Sequence, residues 1–210
     1  SNNGNARRTT AAYKFGSQSL YIGGSDYLNA GTNAVFAFGT GTFTCEAWVR
    51  FTSLPASGAI AGIIGTQTGL TTADSTCWWF GLYNISGVYY LRFSRHSISE
   101  YVQVTWTPAL NTWYNIVVQR NADNTMRIFI DGISQTLSTS GAVGAVNFTN
   151  SGPFYIGVIA TPYYMDGYID ELRITKGVAR YSSNFTPSTS AFPSNLADDS
   201  SFANVSLLLN

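Results

Sequence analysis

Through most of the chain, apolar and aromatic residues come in short runs that alternate with Ser, Thr, Asn and Gln, and the spacing of an amphipathic helix never develops. The runs "SQSLYI" (17–22), "GTFTCEAWVRF" (41–51), "CWWFGLYN" (77–84), "VYYLRFSR" (88–95) and "EYVQVTW" (100–106) are β-branched or aromatic and are bounded by Gly, Asn, Ser or Pro. "TWYNIVVQR" (112–120), "MRIFID" (126–131), "ISQTL" (133–137), "FYIGVI" (154–159) and "GYIDELRI" (167–174) continue the pattern. Each reads as a strand. The best-defined unit is a meander from Trp113 to Leu137, in which Asn121-Ala122-Asp123-Asn124 and then Asp131-Gly132 supply the turns. Asp-Gly between apolar runs is a strong hairpin signal, because a tight primed turn needs positive φ. About ten antiparallel strands at this spacing predict an all-β fold of two packed sheets. Residues 142–149 and 182–199, rich in Gly, Ser and Pro, read as loops or a wrapping tail.

One run breaks its own alternation. In "GYIDELRI", strict period-two geometry puts Leu172 and Ile174 on one face with Asp170, and Ile169 on the other. Either a bulge resets the register, or Asp170 points inward and needs backbone donors, a cation or a metal to offset its burial. The same neighbourhood holds Asp166, Asp170, Glu171, Arg173, Lys176 and Arg180, a concentration of charge in a chain that is only 10% charged. Glu171, Arg173, Lys176 and Arg180 read as a solvated, partly paired surface.

Charge otherwise argues by its absence. Eleven basic and eleven acidic residues cancel, and no basic stripe marks a nucleic-acid partner. No apolar run approaches the length of a membrane helix, so membrane insertion is not expected. The start, "SNNGNARRTTAAYKFG", lacks an apolar leader, and Ser1 in place of an initiator Met makes the chain read as a fragment or processed product. Abundant Gly, Ser, Thr and Asn with 15% aromatics suit an extracellular or particle-borne β protein. Cys45, at an apolar position of "FTCEAWV", reads as a buried thiol in preference to a disulfide with Cys77.

The phrases "GSQSLYIGGSDYLNAG", "FAFGTGTFTCEAWVRF", "WYNIVVQRNADNTMRIFIDG", "FYIGV" and "GYIDELRITKGVARYSSNFTPSTSAFP" occur in order from about residue 12 to 193. Together they resemble the concanavalin A-like lectin/glucanase superfamily, in particular the laminin-G-like domains of bacteriophage virion and tail proteins. The resemblance implies an antiparallel jelly-roll sandwich over residues 1–193, followed by a tail, 194–210. It also implies a virion-surface or extracellular setting, among other virion subunits in an oligomer. Related jelly rolls use an acidic residue at this point of the last strand to tie down the N-terminal segment, sometimes through structural calcium. By that resemblance Asp170 is the candidate metal ligand, with simple acceptance of backbone N–H bonds as the other reading. The Leu-rich phrase "FANVSLLLN", which in the family opens a domain, here closes the chain. Residues 203–209 are expected to add as a strand beside the N-terminal strand, in the same domain or in a neighbouring subunit.

Catalytic signatures are missing. Glycoside hydrolysis usually needs two flanking carboxylates, and none of the three glutamates, Glu46, Glu100 and Glu171, has an acidic residue two or four positions away. His96 is the single histidine, and no nucleophile elbow or cysteine–histidine metal spacing appears. A non-enzymatic module is the expectation. Sugar recognition, through exposed aromatic faces beside amides and hydroxyls, would bind a host or environmental glycan. Its candidates are Tyr163, Tyr164, Trp106, Trp78, Trp79, Tyr89 and Tyr90, with Arg92, Arg95 and His96 for acidic sugars. The rival is a purely structural module whose aromatic surfaces pack against neighbouring subunits.

Overall fold

The computed structural model describes residues 1–66, 76–95, 100–149 and 152–210. In chain order its strands are β1 (Asn2–Asn3), β2 (Arg7–Thr9), β3 (Ser19–Ile22), β4 (Tyr27–Asn29), β5 (Phe43–Phe51), β6 (Ile60–Gly65), β7 (Trp78–Ile85) and β8 (Val88–Arg95). There follow β9 (Glu100–Thr105), β10 (Tyr114–Arg120), β11 (Met126–Ile130), β12 (Ile133–Ser134), β13 (Ser138–Ser140), β14 (Tyr155–Ile156), β15 (Gly167–Lys176) and β16 (Val205–Leu209). They form two eight-stranded antiparallel sheets, packed as a jelly-roll sandwich. The front sheet runs β1-β4-β14-β6-β7-β8-β9-β13, and the back sheet β12-β11-β10-β5-β15-β3-β2, with β16 added alongside β15.

Alternation builds the core. In β5, Phe43, Cys45, Ala47, Val49 and Phe51 enter the space between the sheets, while Thr44, Glu46, Trp48 and Arg50 take the outer face. Opposite them the front sheet contributes Trp78, Phe80, Leu82, Leu91 and Phe93. Phe38 stacks on Phe43 at 4.2 Å and on Trp78 at 4.9 Å, making an aromatic column across the sandwich. Cys45 and Cys77 are buried thiols, not joined to each other, and burial pushes the Cys45 thiol well above its ordinary range.

The meander forms at its expected turns. Asp131 and Gly132 both have positive φ (48° and 76°), which pairs Ile130 with Ile133. Two expected strands are shorter than their runs. "ISQTL" pairs only at Ile133–Ser134, and "FYIGVI" only at Tyr155–Ile156, where Gly157 turns to a φ of 89° with the Ile22 side chain against it.

The irregular strand resolves by a bulge. β15 pairs with β5 at Ile169↔Val49 and Asp170↔Trp48, slips, and resumes at Arg173↔Glu46 and Ile174↔Cys45. Glu171 takes up the slip with a φ of 51°. One extra residue lets Ile169, Leu172 and Ile174 all enter the core, while Asp170 goes to the outer face. The same bulge leaves β15 room for two partners on one edge: β3 pairs with residues 167–169, and β16 with Leu172–Thr175. The C-terminal strand β16 therefore lies end to end with β3 along one edge of β15.

The charge cluster is not the solvated surface that its composition suggests. After β15 the chain folds back over part of the back sheet as a strap, and Glu171, Arg173 and Arg180 lie beneath it, while Lys176 stays partly exposed and donates to Ala34 O. Arg173 Nη2 lies 2.8 Å from Glu46, Arg173 Nη1 3.2 Å from Asp199, and Arg180 Nη2 2.9 Å from Asp199. Tyr181 donates its hydroxyl to Glu46 at 2.6 Å, and the Tyr181 and Phe185 rings stack at 3.7 Å. Glu171 accepts the Phe192 N–H at 2.6 Å, and the Arg173 guanidinium lies 3.9 Å over the Phe192 ring. A polar tail can cover a sheet only where the groups it buries find partners, and here the buried ions pair with one another while Glu171 serves the strap backbone.

Candidate functional site

On the front sheet the outward residues of β7, β8 and β9 form rows. Gly81, Arg92 and Gln103 face one another across the three strands, as do Tyr83, Tyr90 and Thr105 in the next row. Gly81 leaves the centre of this surface without a side chain. Arg92 fills it, with its guanidinium 3.8 Å over Tyr101 and 4.8 Å over Tyr83, and Nε donating to Gln103 Oε1 at 2.8 Å. Burial lowers the Arg92 pKa, the neighbouring tyrosines acting the other way. The result is a platform of half-buried tyrosines held at fixed spacing by a buried cation.

One border of the platform is a loop laid on the sheet at a glycine. A Cβ on Gly62 would meet Ile159 N at 2.6 Å and Tyr163 O at 2.8 Å, so the loop carrying Tyr163 docks there only because Gly62 has no side chain. Ile159 and Tyr163 pack with Ile60, Trp79 and Tyr83. The surface thus offers phenol rings and hydroxyls and the Thr105 hydroxyl, with Gln103 buried beneath it against Arg92. None of the described outward residues of β7–β9 is acidic.

The sugar-binding candidates scatter. Trp78 is 0% exposed in the inter-sheet core, and Trp79 is 0% exposed beneath the Tyr163 loop, so neither can stack on a sugar. Adjacent strand residues do point to opposite faces, but here both faces are covered. Trp106 and Tyr89 pack against the core at one end of the sandwich, Trp106 edge-on to Tyr114 at 5.1 Å. Tyr90, next in β8, shares the outer face with Arg92. Arg95 pairs with Glu100 at the end of the same hairpin. Tyr164 turns away from the platform to lie 6.3 Å from Tyr27, and Tyr163 alone of the loop pair reaches its border. His96 lies outside the described residues. Alternation puts Tyr90 on the face of Arg92 in "VYYLRFSR" and Tyr101 with Gln103 in "EYVQVTW", but only the observed register brings these, and Tyr83 of "CWWFGLYN", together.

Asp170 serves the backbone. Its Oδ2 accepts the N–H groups of Lys14 at 2.7 Å and Phe15 at 3.2 Å, and Oδ1 accepts that of Glu171 at 3.0 Å. Both oxygens face N–H donors, where calcium requires a shell of oxygen ligands, so the residues here do not fit that ion. Among the described residues no group of three His, Cys, Asp or Glu side chains is placed to hold a metal. Burial raises the Asp170 pKa against the pull of the three N–H groups. Glu171, one residue on, is raised to about 7, chiefly by burial.

Residues 22–180 match the family model of the concanavalin A-like lectin/glucanases superfamily, Laminin_G_3. No curated protein matches the sequence. Among solved structures, a tailspike protein from Escherichia coli O157:H7 bacteriophage CAB120 superposes with a TM-score of 0.57 at 12% identity, over 83% of this chain and 25% of that one. A putative carbohydrate binding protein from Bacteroides ovatus gives 0.52 at 17% identity, over 88% and 48%. Botulinum neurotoxin type C, whose cell entry is described as dependent on two ganglioside molecules, gives 0.56 at 14% identity, over 85% and 43%. The chain spans less than half the length of each, and at these identities the likeness is one of fold.

Proposed function

The chain belongs to the concanavalin A-like lectin/glucanases superfamily, and we propose that it is a non-enzymatic carbohydrate-binding module whose site is the outer face of the front sheet. The observation that carries this is the platform of Tyr83, Tyr90 and Tyr101 around Arg92, bordered by Tyr163 and supplied with Thr105. Rings present apolar faces to a pyranose, and the hydroxyls direct hydrogen bonds to its substituents. With no carboxylate among the outward residues of these strands, the face lacks the acid pair that glycoside hydrolysis requires. The presence of a phage tailspike, a putative carbohydrate binding protein and a ganglioside-dependent toxin among the structural neighbours supports the choice of ligand.

The setting we propose is a virion surface, as a fibre, tail or decorating component that adheres to host or environmental glycans. A purely structural role finds less support. It would call for a contiguous exposed apolar face, and among the described residues the large exposed apolar side chains are Tyr13, Val35, Val88, Leu110, Ile133 and Leu196, no two of them adjacent in the chain. The test is a glycan array with the purified chain, read with and without a calcium chelator. Binding should be indifferent to chelation, and Tyr83→Ala or Tyr163→Ala should weaken the best hit by more than about 1 kcal/mol in a chain that still unfolds cooperatively well above the assay temperature. An array with no hits, or hits that survive both substitutions, would reject the site.

A further inference from the structure

The back sheet carries a second aromatic–arginine array, outside the strap and on the opposite side of the molecule. Arg7, Tyr21, Tyr168 and Arg50 are direct cross-strand partners: Arg7↔Tyr21 between β2 and β3, Tyr21↔Tyr168 between β3 and β15, Tyr168↔Arg50 between β15 and β5. They form one straight row on the outer face. The Arg7 guanidinium lies 4.7 Å over Tyr21, the two tyrosine rings meet at 5.2 Å, and the Arg50 guanidinium lies 5.2 Å over Tyr168. Lys14 adds a third cation one row along, with Nζ 3.9 Å over Trp48.

These cations have donors left to give. Among the described residues Arg7 spends one hydrogen bond, on Asn5 O, and Arg50 one, on Asn111 O, and neither pairs with a carboxylate. The nearby acids are committed elsewhere, Asp166 to the hydroxyls of Thr52 and Ser53 and Asp170 to its three N–H groups. In a chain of zero net charge this row is a local surplus of positive charge.

We propose that the row is a binding site for an extended acidic polysaccharide, separate from the front-sheet platform. Three strand spacings of about 4.8 Å set the backbones of Arg7 and Arg50 about 14 Å apart, a span for a chain with acidic groups at intervals. Each guanidinium offers a planar donor fork to a carboxylate or sulfate, and the tyrosine hydroxyls between them meet the ligand's own hydroxyls. A nucleic acid is a poorer fit. It would need open ring faces on which to stack its bases, and each tyrosine here gives one face to an arginine and contacts its neighbour besides.

Calorimetric titration of the chain with an oligogalacturonate, a heparin oligosaccharide of equal length, a neutral dextran oligosaccharide and oligo-dT tests this. One or both acidic sugars should bind, which distinguishes carboxylate from sulfate, and dextran should not compete. Binding should weaken as salt rises from about 0.01 M to about 0.15 M, shortening the screening length from about 30 Å to about 8 Å. The double variant Arg7→Gln/Arg50→Gln should lose about ten-fold in affinity or more at unchanged Tm, while Arg7→Lys/Arg50→Lys should retain part of it. Tyr83→Ala, on the front sheet, should leave this binding intact, so the two sites fail independently. Absence of binding to both acidic sugars, tighter binding of oligo-dT, or affinity unmoved by Arg7→Gln/Arg50→Gln would overturn the proposal.

Discussion

Arginine meets tyrosine on both outer faces of this sandwich, to opposite ends. On the front sheet Arg92 is 2% exposed, lies between Tyr83 and Tyr101, and commits Nε to Gln103. On the back sheet Arg7 and Arg50 flank Tyr21 and Tyr168 from outside, with most of their donors unspent. The cation–aromatic contact is the same; its surroundings differ. Enclosed among its partners, the cation becomes a brace that sets where rings stand. At the ends of an open row it remains available to an anion. Arg173 marks the extreme of enclosure: beneath the strap it serves Glu46, Asp199 and the Phe192 ring at once. Cover, more than residue type, decides between brace and binder.

That contrast orders the effects of substitution. The largest belongs to Arg173→Met, which leaves the buried Glu46 chiefly to Tyr181 and Asp199 to Arg180 and should cost about 3–5 kcal/mol by denaturant unfolding. A loss below about 1 kcal/mol would mean that the strap holds without its ion pairs. Next comes Arg92→Met, which removes a hydrogen bond and the brace between two rings. It should cost about 1–3 kcal/mol and weaken glycan binding with it. Stability lost with glycan affinity intact would separate the brace from the platform.

A smaller effect is readable in pH. Glu171 rises from an ordinary 4.5 to about 7 because it is buried, so the folded chain holds a proton there that the unfolded chain has released. Its contribution is present in full below about pH 4.5 and is lost as pH rises through about 7, and Asp170, also raised, acts in the same direction. Asp199, held below the usual range by Arg180 despite its burial, acts oppositely, losing its contribution as pH falls through its depressed pKa. Glu171→Gln should therefore flatten the decline in Tm between about pH 4.5 and 7 by the equivalent of about 1 kcal/mol. An unchanged slope would show that Glu171 is solvated in the folded state. Smallest of all, Arg7→Gln and Arg50→Gln should each move stability by less than about 0.5 kcal/mol, since each gives up one exposed hydrogen bond to a carbonyl and one surface ring contact. A loss above 1 kcal/mol in either would make it a brace after all.

Much of the fold was legible because period-two alternation and turn chemistry act locally. Asp131-Gly132 announces its hairpin, and the odd positions of β5 announce the core. The broken alternation at Asp170 was equally readable as a bulge, although its purpose was not. What stayed hidden was cover. Whether Trp79 meets solvent depends on a loop eighty residues downstream that can dock only because Gly62 is bare. Whether Arg173 is solvated depends on a strap whose residues read as an ordinary polar tail. Aromatic pairs are visible along the chain, but the platform is assembled across strands, from Tyr83, Arg92 and Tyr101. Register, which sequence alone leaves open, made that juxtaposition.

The central claim is that the braced face of the front sheet takes up a glycan, and amide chemical-shift mapping during titration with the strongest array ligand tests it most directly. Saturable shifts concentrated in 79–83, 90–94, 101–105 and around Tyr163, with the strapped part of the back sheet silent, are the predicted result. Shifts confined to the back sheet or the strap, with the residues around Arg92 unmoved at saturation, would contradict it.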